Sequence, residues 1–232
     1  MTALSSHAVV GCLNGLEGAV LISEALETFG DRVALVSSFG AESAVLLHMA
    51  SIINSEIPVI FIDTGKLFAH TYEYKRELIT FLGLSNVRTM NPDLVEVDDE
   101  DPMSRLWREN TNHCCNLRKV RPLERALDGY TAWISGRKKF QTNDRAHAQN
   151  AEIQDERIVL SPLLHWSPSD LGMYLDTHSL PRHPLENLGY SSIGCFTCTV
   201  DVEGGGDPRS GRWPGQTKNE CGIHRAPLKS VA

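Results

Sequence analysis

No apolar run in the 232-residue sequence approaches bilayer-spanning length, and a helical crossing needs about 20 such residues in a row. The first residues show neither a secretory signal nor an Arg-rich transit pattern, so the expected location is cytoplasmic, with no membrane partner. Positive charge is in deficit. Lys and Arg number 22 against 29 Asp and Glu, a formal net charge of −7 that argues against nucleic acid as a partner. Internal repeats are absent, which leaves one ordinary domain, or one domain with an appended segment. No Gly-Lys-Ser/Thr follows a glycine-rich turn, so no Walker phosphate loop is present. Cysteine is sparse, six residues in all, and a reducing compartment disfavours pairing them as disulfides.

Four of these cysteines organise what is present: the adjacent pair Cys114-Cys115 and the later Cys195-Phe196-Thr197-Cys198. Two short cysteine pairs far apart in sequence supply four soft thiolates, the ligand set that zinc and iron–sulfur clusters take. Neighbouring Cα atoms lie about 3.8 Å apart and their side chains diverge. Both sulfurs of an adjacent pair would make a cramped chelate on one tetrahedral zinc, whereas a cubane offers each sulfur its own iron corner. The spacing favours a [4Fe–4S] cluster and leaves zinc open.

Apolar spacing predicts helices over Leu16–Phe29, Ser43–Ile53 and about Phe68–Leu82, the first and last stopping at Gly30 and Gly83. Strands are predicted over Arg32–Ser37, Ile57–Ile62, Val87–Met90, Thr131–Ser135 and Arg157–Leu160. A helix starts near the cysteine pair and runs towards Leu127, with Pro122 interrupting or kinking it. Ser167-Pro168-Ser169-Asp170 opens another. Strands alternating with helices imply an α/β fold with a parallel sheet covered on both faces. The acidic stretch Asp93–Asp101 reads as solvated loop. Cys12 reads as a small hydrophobe, and His48 and His70 as structural or surface residues. Residues 1–202 form the expected α/β domain. Beyond them Glu203-Gly204-Gly205-Gly206-Asp207-Pro208 is turn-rich and few apolar residues follow, so 203–232 is read as a flexible C-terminal segment.

Ser37-Ser38-Phe39-Gly40-Ala41-Glu42-Ser43 joins a strand to a helix, the place where α/β sheets bind ligands. Two hydroxyls, a glycine and a helix N-terminus suit an anion. Asp63-Thr64-Gly65 closes the next strand on the same rim. Basic residues cluster at Arg118, Lys119 and Arg121, at Arg137-Lys138-Lys139, and at Arg209 and Arg212, a distribution that suits a small anionic ligand in an otherwise acidic protein. Cys221, in Glu220-Cys221-Gly222-Ile223-His224, stands apart from the four ligands. A thiolate beside cationic groups is a nucleophile.

Taken together, the segments SSFGAES, IPVIFIDTGKLF, CCNLRKVRPL, AWISGRKKFQT, LPRHPL, GYSSIGCFTC, GRW and KNECGIH resemble the thioredoxin-dependent adenylyl-sulfate (APS) reductases. These belong to the assimilatory APS/PAPS reductase family of the adenine-nucleotide α-hydrolase superfamily. The resemblance implies a Rossmann-like single domain with a mobile C-terminal tail. It implies a [4Fe–4S] cluster on Cys114, Cys115, Cys195 and Cys198, and a nucleotide site at Ser37, Ser38 and Gly40. Asp63, Gly65 and Leu67 would lie beside the adenosine, Lys119 between cluster and substrate, and Arg209, Arg212 and Arg137 on the phosphosulfate. Cys221 would be the nucleophile, forming an S-sulfocysteine that a thioredoxin or glutaredoxin-like donor resolves to sulfite. On this reading the protein is a metal-binding, iron–sulfur oxidoreductase of sulfate assimilation and cysteine biosynthesis, and a homo-oligomer is left open. The Gly-Arg-Lys-Lys-Phe-Gln-Thr loop departs from the family's usual arginine spacing, which bears on Arg137. Rival readings are a PAPS or dual APS/PAPS reductase, a magnesium-dependent ATP pyrophosphatase-type thiolation enzyme, and a non-enzymatic iron–sulfur sensor. Phe39 and Glu42 stand where the second of these would carry glycine and aspartate.

Overall fold

A computed structural model describes residues 5–202 and 209–224. Six short strands form one sheet: β1 (Val33–Val36), β2 (Val59–Ile62), β3 (Val87–Met90), β4 (Ala132–Ser135), β5 (Ala151–Gln154) and β6 (Arg157–Leu160), in the order β3-β2-β1-β4-β6-β5. Five strands run parallel, and β5 pairs antiparallel with β6 through Ala151–Leu160 and Gln154–Arg157. The sheet is therefore mixed rather than wholly parallel. β5 escaped the sequence reading because a four-residue strand in a hairpin carries too short an alternation to register.

From β1 the chain moves outward to β2 and β3, then returns to place β4 on the other side of β1. That reversal is the topological switch point, where side chains at the carboxyl ends of β1 and β4 face a common crevice. Alternation along the strands splits the core in two. Val33, Leu35, Val59, Phe61, Ile134 and Leu160 pack on one face, against α2 (Gly18–Phe29), α3 (Ser43–Ile53), α4 (Ala69–Leu82) and α9 (Pro168–Thr177). Ala34, Ile60, Ile62, Trp133 and Val159 face the other way, onto Leu123 and Leu127 at the end of α8 (Arg121–Ala126), with Ile223 from the C-terminal segment packed beside them.

Local chemistry explains the helix limits. α4 buries Thr71, Tyr74, Leu78 and Leu82 at helical spacing and stops at Gly83, whose φ of 63° is left-handed. α9 opens on a capping box of Ser167 and Asp170 with Pro168 in its first turn. α1 (Ser6–Leu13) precedes α2, and its Cys12, read as a small hydrophobe, is exposed. Pro122 does not break its helix. After the short α6 (Leu106–Glu109), α7 (Thr111–Cys115) passes through a wide π turn at Asn116–Val120 into α8, and Arg121 N–H reaches back five residues to Asn116 O. Such an extra-residue turn lets a helix continue past a local misfit, and it is frequent at functional sites.

The acidic stretch is a second correction. Leu94–Glu100 forms α5, capped by the Asp93 carboxylate on the amides of Val95 and Glu96. Glu96 and Glu100 pair with Arg121, 3.4 and 2.5 Å away, so acids that read as solvated bind the helix carrying the cysteine pair.

His183 is wholly buried. Its Nδ1 accepts from Leu185 N–H at 3.2 Å and its Nε2 bonds the Thr71 hydroxyl at 3.2 Å. Burial, with His70 nearby, holds the ring neutral and lowers its pKa to about 4. The unfolded chain, titrating near 6.5, binds the proton first as pH falls, so the folded state loses stability between pH 6.5 and about 4. Denaturant titrations should show a loss of about 2 kcal/mol from this group between pH 7 and pH 5, with the His183 ring signal still that of neutral imidazole at pH 5.

Candidate active site

The crevice at the switch point is a cavity of about 240 Å³. Its floor is the turn after β1. Ser37 Oγ accepts from Phe39 N–H at 3.2 Å, and Phe39 holds a left-handed φ of 48°. That conformation costs a non-glycine residue about 1 kcal/mol. Full burial of the Phe39 ring, edge-on to Phe61 at 5.4 Å, offsets it. A phenylalanine therefore serves where a glycine-rich loop would carry glycine.

Ser37, Ser38, Gly40, Leu67, Lys119, Arg137, Arg209, Arg212 and Cys221 all line this cavity. Asp63 and Gly65 do not. Asp63 is spent on its own turn, accepting from Gly65 N–H at 2.9 Å and the Tyr72 hydroxyl at 2.7 Å. Arg137 is 4% exposed and donates to Ser161 Oγ at 2.9 and 3.1 Å and to Glu152 at 2.8 Å, which ties it to β5 and the end of β6.

Cys114, Cys115, Cys195 and Cys198 are buried and free, and they line a second, smaller cavity with Thr64, Arg118, Lys119, Arg212 and Trp213. Lys119, Arg212, Trp213 and Thr64 belong to both cavities, so the two share one wall. The Leu67–Cys195 bridge and the Phe196 N–H bond to Lys66 O, at 2.8 Å, lay the CxxC segment against the turn after β2. Residues 209–213 complete the wall. Val200 N–H donates to Gly211 O and Trp213 N–H to Cys198 O, each at 2.9 Å. A Cβ on Gly211 would collide with the Val200 carbonyl, so that close approach requires glycine, while one on Gly194 would displace the Arg212 guanidinium. Arg212 lies over the Trp213 ring, 4.6 Å from its centroid.

The four thiols share the lining of one small cavity. Among the described residues no group of three or more His, Cys, Asp or Glu could hold a metal ion, which corrects the expectation of a metal-binding group in that sense. The reason is geometric. Adjacent cysteines project apart, and the thiols stand around the cavity wall rather than on a point within it. Burial and the neighbouring cysteines push the Cys114 thiol up to about 12. Burial also opposes ionisation at Cys195, but Lys119, the Thr64 hydroxyl and Arg212 outweigh it and draw that thiol below its usual value. Lys119 is desolvated, yet Cys195, Cys221 and Cys115 raise its pKa, so it stays charged between the cysteine cavity and the cleft.

The C-terminal segment was read as a flexible stretch that carries the nucleophile. Residues 203–208 and 225–232 lie outside the described residues, while 209–224 pack onto the domain. Trp213 is 2% exposed, Ile223 joins the core of the second sheet face, and the His224 ring stacks on Trp133 at 5.3 Å and 10°. The apolar partners for this packing are on the sheet and not in the segment, so it leaves no local sign in the sequence. Sequence reasoning did not single out Trp133, Gln141, Arg145 and Glu220 as cleft residues. The basic run 137–145 and the quoted ECGIH were the signals available.

A sheet reversed at β1 and β4, with its crevice at the carboxyl ends of both strands, defines an adenine-nucleotide α-hydrolase-like α/β protein. Residues 32–201 match the phosphoadenosine phosphosulfate reductase domain. Similar proteins include an adenosine 5'-phosphosulfate reductase of Mesorhizobium japonicum, 46% identical over 96% of this chain and 87% of that protein. Another is from Chelativorans, 42% identical over 93% and 89%. A phosphoadenylyl-sulfate reductase from Candida auris, solved as a phosphate complex, superposes with a TM-score of 0.72 at 28% identity, covering 85% of this chain and 98% of its own. Candida glabrata FMN adenylyltransferase, at 17% identity and a TM-score of 0.60 over 88% and 70%, shares the fold alone. The chain belongs to the phosphoadenosine phosphosulfate reductase family, reductases of sulfate assimilation that act on a sulfur group. No helix of the described residues is long and apolar enough to cross a membrane.

One buried ion pair supports the shared wall. Asp101 accepts from the amides of Arg105 and Leu106 at 2.7 and 2.9 Å and from Arg118 Nη2 at 2.9 Å, and Arg118 Nη1 donates to Thr64 O at 3.2 Å. Removing one partner of such a pair costs about 3–5 kcal/mol, because the other charge is left buried alone. Asp101→Asn should lower the unfolding free energy from urea titrations by that order, seen as a lower midpoint with the m-value unchanged.

Proposed function

We propose that the protein reduces adenosine 5'-phosphosulfate to sulfite and AMP, with Cys221 as nucleophile. The observation that carries this is the placement of a half-buried thiol in the lining of the same cleft as the Ser37–Ser43 turn, with Lys119, Arg209 and Arg212 in that lining too. Membership of the family supplies the nucleotide substrate and a thioredoxin-type donor, and the curated relatives named above act on the 5'-phosphosulfate. A cytoplasmic setting, with thioredoxin itself as donor, completes the reading.

The turn after β1 and the N-terminus of α3 receive the phosphate, where backbone amides and the helix dipole favour negative charge. Arg209, Arg212 and Lys119 face the phosphosulfate and offset charge on the departing AMP and on the sulfonyl oxygens. The Cys221 thiolate attacks the sulfonate sulfur, forming an S–S bond as the S–O bond to AMP breaks. A donor thiolate then attacks Cys221 Sγ, sulfite leaves with the electron pair of that bond, and the mixed disulfide is resolved by the donor's second thiol. Both electrons come from the donor dithiol.

A [4Fe–4S] cluster on Cys114, Cys115, Cys195 and Cys198 belongs to the same proposal. A cubane takes one thiolate per iron corner and so calls for separated sulfurs, not for three on one ion. Four buried thiols around one cavity with Arg118, Lys119 and Arg212 beside them fit that donor set and its negative charge. When bound, the group would add a fixed negative field beside Lys119.

Sulfite release measured with APS and PAPS, each with thioredoxin present or omitted, tests the function. Thioredoxin-dependent release from APS that exceeds release from PAPS is expected, equal rates would make the enzyme dual, and release from neither would sink the reading. Cys221→Ser should reduce turnover to background and abolish the S-sulfo adduct in intact mass. Separately, anaerobically purified protein is expected to hold about four irons per chain, and Cys198→Ser to lose them. Zinc, or no metal, would remove the cluster from the proposal and leave the thiol chemistry standing.

A further inference from the structure

We propose that Glu220 is the positioning residue for the nucleophile: clamped by Arg145, its carboxylate seats the turn that presents Cys221 to the cleft. This rests on Cys221 being the reacting thiol. Glu220 precedes that thiol and is 4% exposed, although it lies in a segment with few apolar anchors. Its Oε1 accepts from Arg145 Nε at 2.5 Å and from the Thr142 hydroxyl at 3.1 Å, and Arg209 Nη2 stands 3.6 Å from Oε2. A carboxylate taken out of water is tolerated only where such partners meet it. The side chain therefore has one favourable address on this surface, and Cys221 is one residue from it. Gly222, at a φ of 93°, turns the chain immediately afterwards, towards Ile223 on the second core and His224 on Trp133.

Arg145 lines the cleft, but its guanidinium is engaged by Glu220 and by Gln141 Oε1. Gln141 Nε2 in turn donates to Glu42 Oε2 at 2.7 Å, and Lys138 Nζ donates to the same oxygen at 2.7 Å. Glu42 is the residue before α3, at the end of the phosphate-loop turn. A continuous set of buried and half-buried bonds thus connects the nucleotide loop to the residue next to the nucleophile. Arg145 acts through Glu220 and not on substrate.

The test uses the full chain and needs no substrate for its first arm. Alkylation of Cys221 by iodoacetamide is followed peptide by peptide, at the high-pH plateau where the thiol is fully ionised, so that only access differs between variants. Exposed Cys12 serves as the internal reference. Glu220→Gln should raise the Cys221 rate about tenfold, equivalent to about 1.4 kcal/mol, with Cys12 unchanged. Glu220→Asp, which keeps the charge on a shorter arm, should fall between. In sulfite release, Glu220→Gln should lower kcat about tenfold while KM stays within about threefold, as for an interaction that presents the nucleophile rather than binds substrate. Glu220→Gln and Arg145→Gln together should cost no more than the worse of the two alone. Unchanged Cys221 alkylation in both Glu220 variants overturns the proposal, and so does a raised KM with kcat retained, which would make the pair a substrate contact. Should the wild type release no sulfite from either nucleotide, the functional reading fails on its own and the alkylation arm still decides the seat.

Discussion

A sheet that buries apolar side chains on both faces needs cover on both, and here the helices suffice for one. α2, α3, α4 and α9 close the first face, whereas α8 stands almost alone over the second. Trp133 and Val159 on that second face are large and apolar, and leaving them wet would cost about 1.5–3 kcal/mol each. The C-terminal segment supplies the missing cover through Ile223 and the His224 ring. Docking of the segment is thus a consequence of incomplete core coverage, and its thiol arrives at the switch-point crevice because that is where the uncovered area lies.

Polar chemistry then refines what apolar cover begins. The segment is held at one end by Trp213 in the cysteine cavity and at the other by the Trp133 stack, with Glu220 between them among Arg145, Arg209 and Thr142. Burial of apolar area is indifferent to a shift of an ångström, but a buried carboxylate is not, since each misplaced partner leaves a charge unmatched. That contrast explains why a glutamate sits beside the reactive cysteine in an otherwise weakly anchored stretch.

Lys119 and Arg212 stand where the cleft and the cysteine cavity meet. Charge placed in one cavity is therefore felt in the other through these shared residues, in a region that water scarcely screens. The π turn places Lys119 there without ending the helix that carries Cys114 and Cys115. The Asp101–Arg118 pair supports the wall from behind, and it recruits an acidic stretch with little local sign of that task.

Element order, most strand and helix limits, the Ser37–Ser43 turn and the two cysteine pairs were legible in the amino-acid order alone. Each depends on spacing within about a dozen residues: apolar periods, a glycine stop, a serine cap. Gathering Ser37, Lys119, Arg212 and Cys221 around one cleft follows from the resemblance in their motifs, and folding brings them to the same cavity. Only the folded chain decided that β5 runs antiparallel, that Asp93–Asp101 becomes a helix tied to Arg121, that Arg137 turns to Ser161 and Glu152, and that the C-terminal segment packs down. These outcomes depend on partners far apart in sequence, Glu220 with Arg145 and His224 with Trp133 among them, whose pairing energy exists only once the sheet has set the distance between them.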